Sequence, residues 1–446
     1  MGLLVFFLGL LGLFLKPAIY VDSAAILPPL SKYVVKDAGD PIGVPCTKNV
    51  SNAWLDIVVA IDISTNMGPS QVRQITLQLG SELRKYPIGQ NGTRYTRVAI
   101  ITYATQATIV ANLTTFSTPD QLYTAITGIT GSTSDSGSDM SDAVTQAYNI
   151  LYNEQPCDQV IGCEKLGRPA VFVLFAAYGS GNIADVVQNC QNIQQFGSVI
   201  TINYKPNDII LTNLLNQISS LSFNFPKNWT TSDLDWALTQ SNCLCPWWSG
   251  TQLVVWELST LRYNRYAECF SIWELLMGPV NLNDTNICGD SSTGYPVALN
   301  AKATSDFIKD LIHDEIPNAF YIGLHRQGMN PSGPWKWYTF NGNDMPMTSF
   351  TDWAPDANPN AAQNCVLEKR LPGSTLQNET IGWEPASCEL FDTGVTNCIC
   401  SLKACSTDYL CPTTFSFMKD RKNAKTMPTI LNPKNMPKST LKINKH

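Results

Sequence analysis

Histidine is scarce: the 446 residues hold three, His313, His325 and His446. None lies in a zinc-ligand spacing or beside a nucleophile signature, so an acid–base enzyme would need another base. No Gly-x-x-x-x-Gly-Lys phosphate loop occurs, and the turn Gly179-Ser180-Gly181 lacks both the lysine and the length. Charge is also sparse. Only 15% of residues are Asp, Glu, Lys or Arg, against roughly 25% in typical soluble domains. The surface must therefore be rich in neutral polar groups. Thirty basic against 36 acidic residues give a net charge of -6, which offers no basic field to a phosphate backbone and excludes nucleic acid as an expected partner. The apolar run at the start reaches only Leu15, short of the roughly 20 residues a spanning helix requires. No later segment is apolar enough to span. The expectation is a non-enzymatic chain without a membrane span.

What is present points outside the cell. Residues 1–25 read as a signal peptide, an apolar stretch that turns polar by Asp22 with Ser23-Ala24-Ala25 suited to cleavage. Fourteen cysteines follow, an even number that should pair in an oxidising compartment. Six Asn-x-Ser/Thr sequons, at Asn49, Asn91, Asn112, Asn228, Asn283 and Asn378, mark candidate glycosylation sites. A secreted, extracellular glycoprotein is expected.

Residues 54–62, Trp-Leu-Asp-Ile-Val-Val-Ala-Ile-Asp, form the near-continuous apolar run of a strand buried on both faces of a parallel sheet. Val72, Ile75, Leu79 and Leu83 then recur at helical spacing behind Pro69. The alternation continues. Strands are predicted at Val98 to Tyr103, Ala107 to Val110, Val171 to Ala176 and Ser198 to Tyr204. Helices are predicted through Leu122, Ile126 and Ile129, through Ala143, Ala147 and Leu151, through Ile183, Val187 and Ile193, and through Ile210, Leu214 and Ile218. This pattern predicts a doubly wound α/β domain, whose ligands sit at the carboxyl ends of its strands. Asp62 ends the first strand.

The segment from about 50 to 242 resembles the von Willebrand factor type A domain, whose metal-ion-dependent adhesion site begins Asp-x-Ser-x-Ser. Here the residues are Asp62, Ser64 and Asn66, and the family's later hydroxyl maps to Ser138. These are hard oxygen ligands suited to Mg²⁺. The family's last ligand, an Asp after a later strand, is replaced by Phe175-Ala176-Ala177-Tyr178. Mg²⁺ is therefore expected to bind weakly or not at all, with Asp139 and Asp142 as the carboxylates at hand to compensate.

After Cys243-Leu244-Cys245 the alternation stops, and tryptophan and cysteine become frequent. Cys46 and Cys243 flank the type A segment, and the ends of doubly wound folds lie close together, so these two are expected to pair. Cys245 would then pair with Cys269, and Cys157 with Cys163 across a short insertion. Cys190, Cys398, Cys405 and Cys411 stay unassigned. Between Trp337 and Cys388 no helical period is visible, and so much loop needs covalent closure or ligands.

The succession Cys269-Phe270, Cys288, Phe320-Tyr321-Ile322-Gly323-Leu324, Trp335-Lys336-Trp337, Trp353, Cys365, Trp383, Cys388 and Cys398-Ile399-Cys400 resembles a C-type-lectin-like domain from about 245 to 402. The resemblance implies an α+β fold with disulfides Cys288–Cys400 and Cys365–Cys388. Trp335, Trp337 and Trp383 are expected in its core. At the positions matching the family's calcium and sugar ligands stand Asn358, Asn360, Gln363 and Glu384. With one carboxylate among four, weak Ca²⁺ binding at most is expected, and no usual calcium-dependent sugar binding. Residues 412–446 are Lys-rich and read as a disordered tail.

A type A domain followed by a lectin-like one resembles a group of secreted nematode C-type-lectin proteins. That resemblance implies recognition or adhesion toward extracellular glycan or protein, in innate defence. The alternative is a structural matrix or assembly component built of disulfide-braced modules.

Overall fold

The computed structural model describes residues 34–35, 42–91, 94–153, 168–245, 250–275, 287–288, 294–312, 319–340, 344–374, 380–409 and 426–428. The expected signal peptide, Cys157, Cys163, Cys411, Asn283, Asn378 and the tail beyond 428 lie outside them.

The first module alternates strands and helices: β1 (Asp56–Asp62), α1 (Pro69–Leu83), β2 (Arg97–Tyr103), β3 (Ala107–Ala111), α2 (Pro119–Thr127), α3 (Met140–Asn153), β4 (Ala170–Ala176), α4 (Ile183–Gln194), β5 (Gly197–Asn203), α5 (Ile209–Ile218), β6 (Asn224–Pro226) and α6 (Thr231–Ser241). The sheet order is β3-β2-β1-β4-β5-β6. All pairs are parallel except the β2–β3 hairpin. Because side chains alternate along a strand, central β1 feeds two cores. Ile57, Val59 and Ile61 pack with Val72, Ile75 and Leu79 of α1, Leu122 and Ile126 of α2 and Leu234 of α6. Val58 and Ala60 pack on the other face with Val144 and Ala147 of α3, Cys190 of α4 and Leu215 of α5. Each fully buried aliphatic side chain of this size contributes about 1.5–3 kcal/mol.

The helix starts are capped from the sequence. Thr118 accepts from Gln121 N ahead of Pro119, Asp208 from Leu211 N, and Thr230 forms a reciprocal capping box with Asp233. Two helices are rotated from the phase their spacing suggested. The buried face of α4 is Val186, Cys190 and Ile193, with Ile183 exposed; that of α5 is Leu211, Leu214, Leu215 and Ile218, with Ile210 exposed.

The second module is mixed. It comprises β7 (Thr251–Glu257), β8 (Arg262–Leu275), β9 (Gly294–Pro296), α7 (Lys302–Ile312), β10 (Ala319–Arg326), β11 (Trp335–Trp337), β12 (Met345–Pro346), β13 (Cys365–Arg370), β14 (Ile381–Ala386) and β15 (Asn397–Lys403), with a short helix Leu390–Thr393. Its main path runs β7-β8-β15-β10-β11-β12, with β9 on β15, and with β13 on β10 carrying β14. Trp337 and Trp383 are fully buried with centroids 5.5 Å apart, and Trp335 is buried beside Trp353 at 5.6 Å. The tryptophans are core, as expected.

The second module is wider than 245–402. Residues 42–46, upstream of the first module, pack into it: Ile42 joins the core of Leu253 and Val255, Ala267 N donates to Val44 O, and Val44 N donates to the buried Glu268 carboxylate. In return, residues 405–407 cross back, with Leu244 and Cys405 bonded both ways and Trp54 Nε1 donating to Ser406 O. Four disulfides close the described residues: Cys46–Cys243, Cys245–Cys269, Cys288–Cys400 and Cys365–Cys388. Cys405 is also disulfide-bonded, to a partner outside the described residues, and Cys190 and Cys398 are free and buried. Polar contacts add to the joint. Trp236 Nε1 donates to Asn264 Oδ1 at 2.9 Å, Arg265 Nη1 to Ser198 Oγ at 3.0 Å, and Arg262 pairs with Asp233 while lying over the Trp236 ring.

Candidate functional site

The carboxyl edge of the first sheet gathers the residues singled out from sequence. Asp62 ends β1 and is fully buried. Its Oδ1 accepts from Ser64 N at 2.9 Å, and its Oδ2 accepts from Ser138 Oγ at 3.0 Å and Ala177 N at 3.3 Å. Ser64 and Ser138 are equally buried. Burial pushes the Asp62 carboxyl above the ordinary aspartate range, opposed by the hydrogen bonds of Ser64, Ser138 and Ala177. The Ser138 hydroxyl also lies 2.9 Å from Tyr178 O. Under the site, the Tyr103 phenol donates to Phe175 O, and burial, with the Asp62 charge second, pushes that phenol well up.

Asn66 joins the loop differently. Its amide nitrogen donates to Ser136 O at 2.9 Å, and its backbone N–H donates to Ser64 Oγ at 3.2 Å. The staple that shapes this loop is Asp135, a residue not singled out from sequence. Asp135 O accepts from Thr65 N, and its carboxylate accepts from Thr105 Oγ1 at 2.6 Å and Gly137 N at 3.0 Å, which holds it below the usual aspartate range. A Cβ on Gly137 would overlap Thr105, so glycine is required where the two loops touch. The turn-rich run Ser132–Gly137 is the one sequence signal for this device.

Asp139 and Asp142 do not compensate for the missing family carboxylate. Asp139 Oδ1 caps Asp142 N at 3.1 Å, while Asp142 accepts from Ala107 N at 2.8 Å and from Gln146 Nε2 at 3.1 Å. A hard divalent cation here would draw on one buried carboxylate, already holding three protein donors, and two buried hydroxyls. Affinity for such ions follows the charge and number of free oxygen ligands, so the set does not fit a tightly held metal.

Of the residues matched to a calcium and sugar site, Asn358 and Glu384 have partners within the protein. Asn358 Oδ1 accepts from Asn360 N at 3.1 Å, Gln363 is exposed, and Glu384 forms an ion pair with Lys369 on the neighbouring strand. Among the described residues the one cluster of His, Cys, Asp and Glu with metal-ligand spacing is Cys288, Cys398 and Cys400, two of which are joined in a disulfide.

On its β4–β5 side the sheet edge that holds Asp62 carries exposed apolar side chains. Tyr178 and Ile183 follow β4 and are 46% and 40% exposed; Ile209 and Ile210 follow β5 and are 73% and 82% exposed. The last two are the most exposed large apolar side chains among the described residues. Adjacent strands β4 and β5 bring both loops to one edge, where Leu211 and Leu214 approach Gly179. The four described sequon asparagines, Asn49, Asn91, Asn112 and Asn228, are exposed.

Residues 56–237 match the von Willebrand factor type A domain family. No curated protein matches the chain. Among solved structures, it is similar to proximal thread matrix protein 1 from the mussel byssus, at 14% identity and a TM-score of 0.33, covering 42% of this chain and 47% of that one. A second structure of that mussel protein, with a zinc-occupied MIDAS motif, gives 17% identity and a TM-score of 0.31 over 40% and 42%. The vWF domain of the type V pili tip protein Mfa5 from Porphyromonas gingivalis gives 14% and 0.29 over 44% and 93%. The matches span less than half the length of the mussel protein. The alternating sheet, the placement of Asp62, Ser64 and Ser138 at its carboxyl edge, and the family match together make residues 56–237 a von Willebrand factor type A domain.

Proposed function

We propose that this chain is a secreted, non-catalytic recognition or adhesion protein whose type A domain docks an extracellular protein without a bridging metal. The observation that carries the reading is the set of exposed Tyr178, Ile183, Ile209 and Ile210 on the β4–β5 side of the sheet edge on which Asp62 is sealed. Exposed apolar side chains grouped at the edge where such sheets bind ligands mark an interaction surface. An adhesion site that works through a cation needs oxygens free to ligate, and here they are spent on the protein. The disulfides suit an oxidising, extracellular setting, and no helix among the described residues is long and apolar enough to cross a membrane.

We read the second module as C-type-lectin-like, supported by the two disulfides Cys288–Cys400 and Cys365–Cys388 and by the buried Ile322-Gly323-Leu324 strand. With Glu384 held by Lys369, it would recognise ligands by surface complementarity rather than through calcium. A structural matrix role is the second reading, favoured by the Cys46–Cys243 and Cys245–Cys269 bridges that brace the junction of the modules. The test is a screen of the full secreted chain against arrayed extracellular proteins and glycans, with chelator and with added Mg²⁺ and Ca²⁺. A protein ligand retained in chelator and lost in the double variant Ile209→Asp/Ile210→Asp supports the proposal. Retention that requires the cations, or that ignores the double variant, refutes it.

A further inference from the structure

The free thiol Cys398 lies two residues before Cys400 on β15, so both side chains point to the same face of the sheet. Cys288 is bonded to Cys400, and the sulfurs of Cys288, Cys398 and Cys400 all lie within 4.8 Å of one another. All three are fully buried, and the Cys398 thiol has one weak hydrogen bond, to Ile399 O at 3.6 Å. A thiol this close to a disulfide is placed to exchange with it.

We infer that Cys398 and Cys400 compete for Cys288, so that the second module has two disulfide isomers, Cys288–Cys400 with a Cys398 thiol and Cys288–Cys398 with a Cys400 thiol. The step balances without an outside oxidant or reductant. The Cys398 thiolate attacks Cys288 Sγ, a bond forms between them, and the Cys288–Cys400 bond breaks. Its electron pair leaves on Cys400 Sγ, which takes up the proton that Cys398 gave. Attack on Cys400 instead would join two residues two apart on one strand, whose parallel Cβ atoms stand about 6.6 Å apart at ordinary strand rise, well beyond the roughly 3.5–4.5 Å between the Cβ atoms of a disulfide. Cys288 is therefore the sulfur attacked. Exchange moves the attachment of Cys288 by two residues along β15, about 6.6 Å at ordinary strand rise. The link leaves the position paired with Pro296 of β9 and reaches the one paired with Trp273 of β8 and Tyr321 of β10.

Burial pushes the Cys398 thiol up to about 12, so the thiolate is a small fraction near neutrality and exchange quickens with pH. The titratable group facing it is the Tyr321 phenol of β10; the half-cystines beside it carry no proton to lose. The other free thiol among the described residues, Cys190, sits in the first module between α4 and the sheet. It serves as an internal reference.

The experiment holds the full chain at pH 8.5 and at pH 9.5. Aliquots are quenched in acid and denaturant, thiols are labelled with a maleimide at acidic pH, and the peptides are mapped without reduction. Among the described cysteines, label at the start falls on Cys190 and Cys398. Label on Cys400, with a matching loss at Cys398 and constant labelling of Cys190, is the result expected, and it should appear about tenfold faster at the higher pH, as the thiolate fraction requires. In Cys398→Ser, Cys400 should stay unlabelled throughout. Label confined to Cys398 at both pH values overturns the proposal. So does equal labelling of Cys400 in Cys398→Ser, which would assign the exchange to another thiol.

Discussion

Asp62 is a carboxylate sealed under the first βα turn, with Ser64 N, Ser138 Oγ and Ala177 N as its donors. Its present work is to tie three loops together. Asp62→Ala would strand those donors in a buried place at a cost of about 1–3 kcal/mol, measurable by urea denaturation, and the loss should be the same with and without Mg²⁺. Glu368 of β13 presents the opposite case. It is fully buried across from Phe320 and Trp383, neither oxygen has a hydrogen-bond partner, and burial pushes its carboxyl up to about 8. A carboxyl whose folded pKa is raised binds its proton more tightly when folded. Its contribution is intact below the unfolded value near 4.5 and is lost as pH rises through about 8. Replacing it with the neutral Glu368→Gln should leave stability near pH 4.5 little changed and raise it at pH 9 by a few kcal/mol, roughly the linkage energy of such a shift. Melting curves of the two proteins across that range check it; a parallel pH dependence would show that Glu368 is not titrating.

Elements differ in how openly the chain announces them. The first strand was legible because an apolar run ending in Asp allows little but a buried parallel strand and its carboxyl edge. The phase of α5 was not. Ile209-Ile210-Leu211 is apolar at three consecutive positions, so spacing alone cannot choose which one faces the sheet; packing against the core chose Leu211 and left both isoleucines out. Cys190, without a role in sequence, proves to be an apolar contact of α4. Ile209→Ser and Ile210→Ser should therefore change stability by less than about 0.5 kcal/mol, by denaturant titration, while Leu211→Ala should cost about 2–5 kcal/mol. On β10, Gly323 of the Ile-Gly-Leu segment has a structural reason. A Cβ there would fall on Pro296 O, backbone that cannot swing aside. Gly323→Ala should cost about 2 kcal/mol or more, visible as a lowered melting temperature; an unchanged melt would show that the β9–β10 approach is looser than described.

At the scale of the whole molecule, the boundary between modules is braced rather than linked. Cys46 and Cys243 flank the type A segment in sequence, and the bridge between them closes a separation of 197 residues. Closing such a loop restricts the unfolded chain by roughly 5 kcal/mol in the chain-entropy account. The double variant Cys46→Ala/Cys243→Ala should lower the melting temperature by several degrees. What could not be read was the crossing of residues 42–46 into the second module, because five residues around Gly43 and Pro45 carry no period and their fixing contact, the Glu268 carboxylate, lies 224 positions away. The adhesion site was legible as a set of residues but not as a state. Sequence shows that a carboxylate is missing, while only the folded chain shows Asp139, Asp142 and Asn66 committed to other partners. Whether the edge can hold a metal turns on that commitment. The measurement that tests it most directly is calorimetric titration of Mg²⁺, Mn²⁺ and Zn²⁺ into the full chain and into Asp62→Ala. No site tighter than millimolar is expected in either protein, whereas micromolar binding by the full chain that vanishes in Asp62→Ala would show the buried carboxylate free to hold a metal.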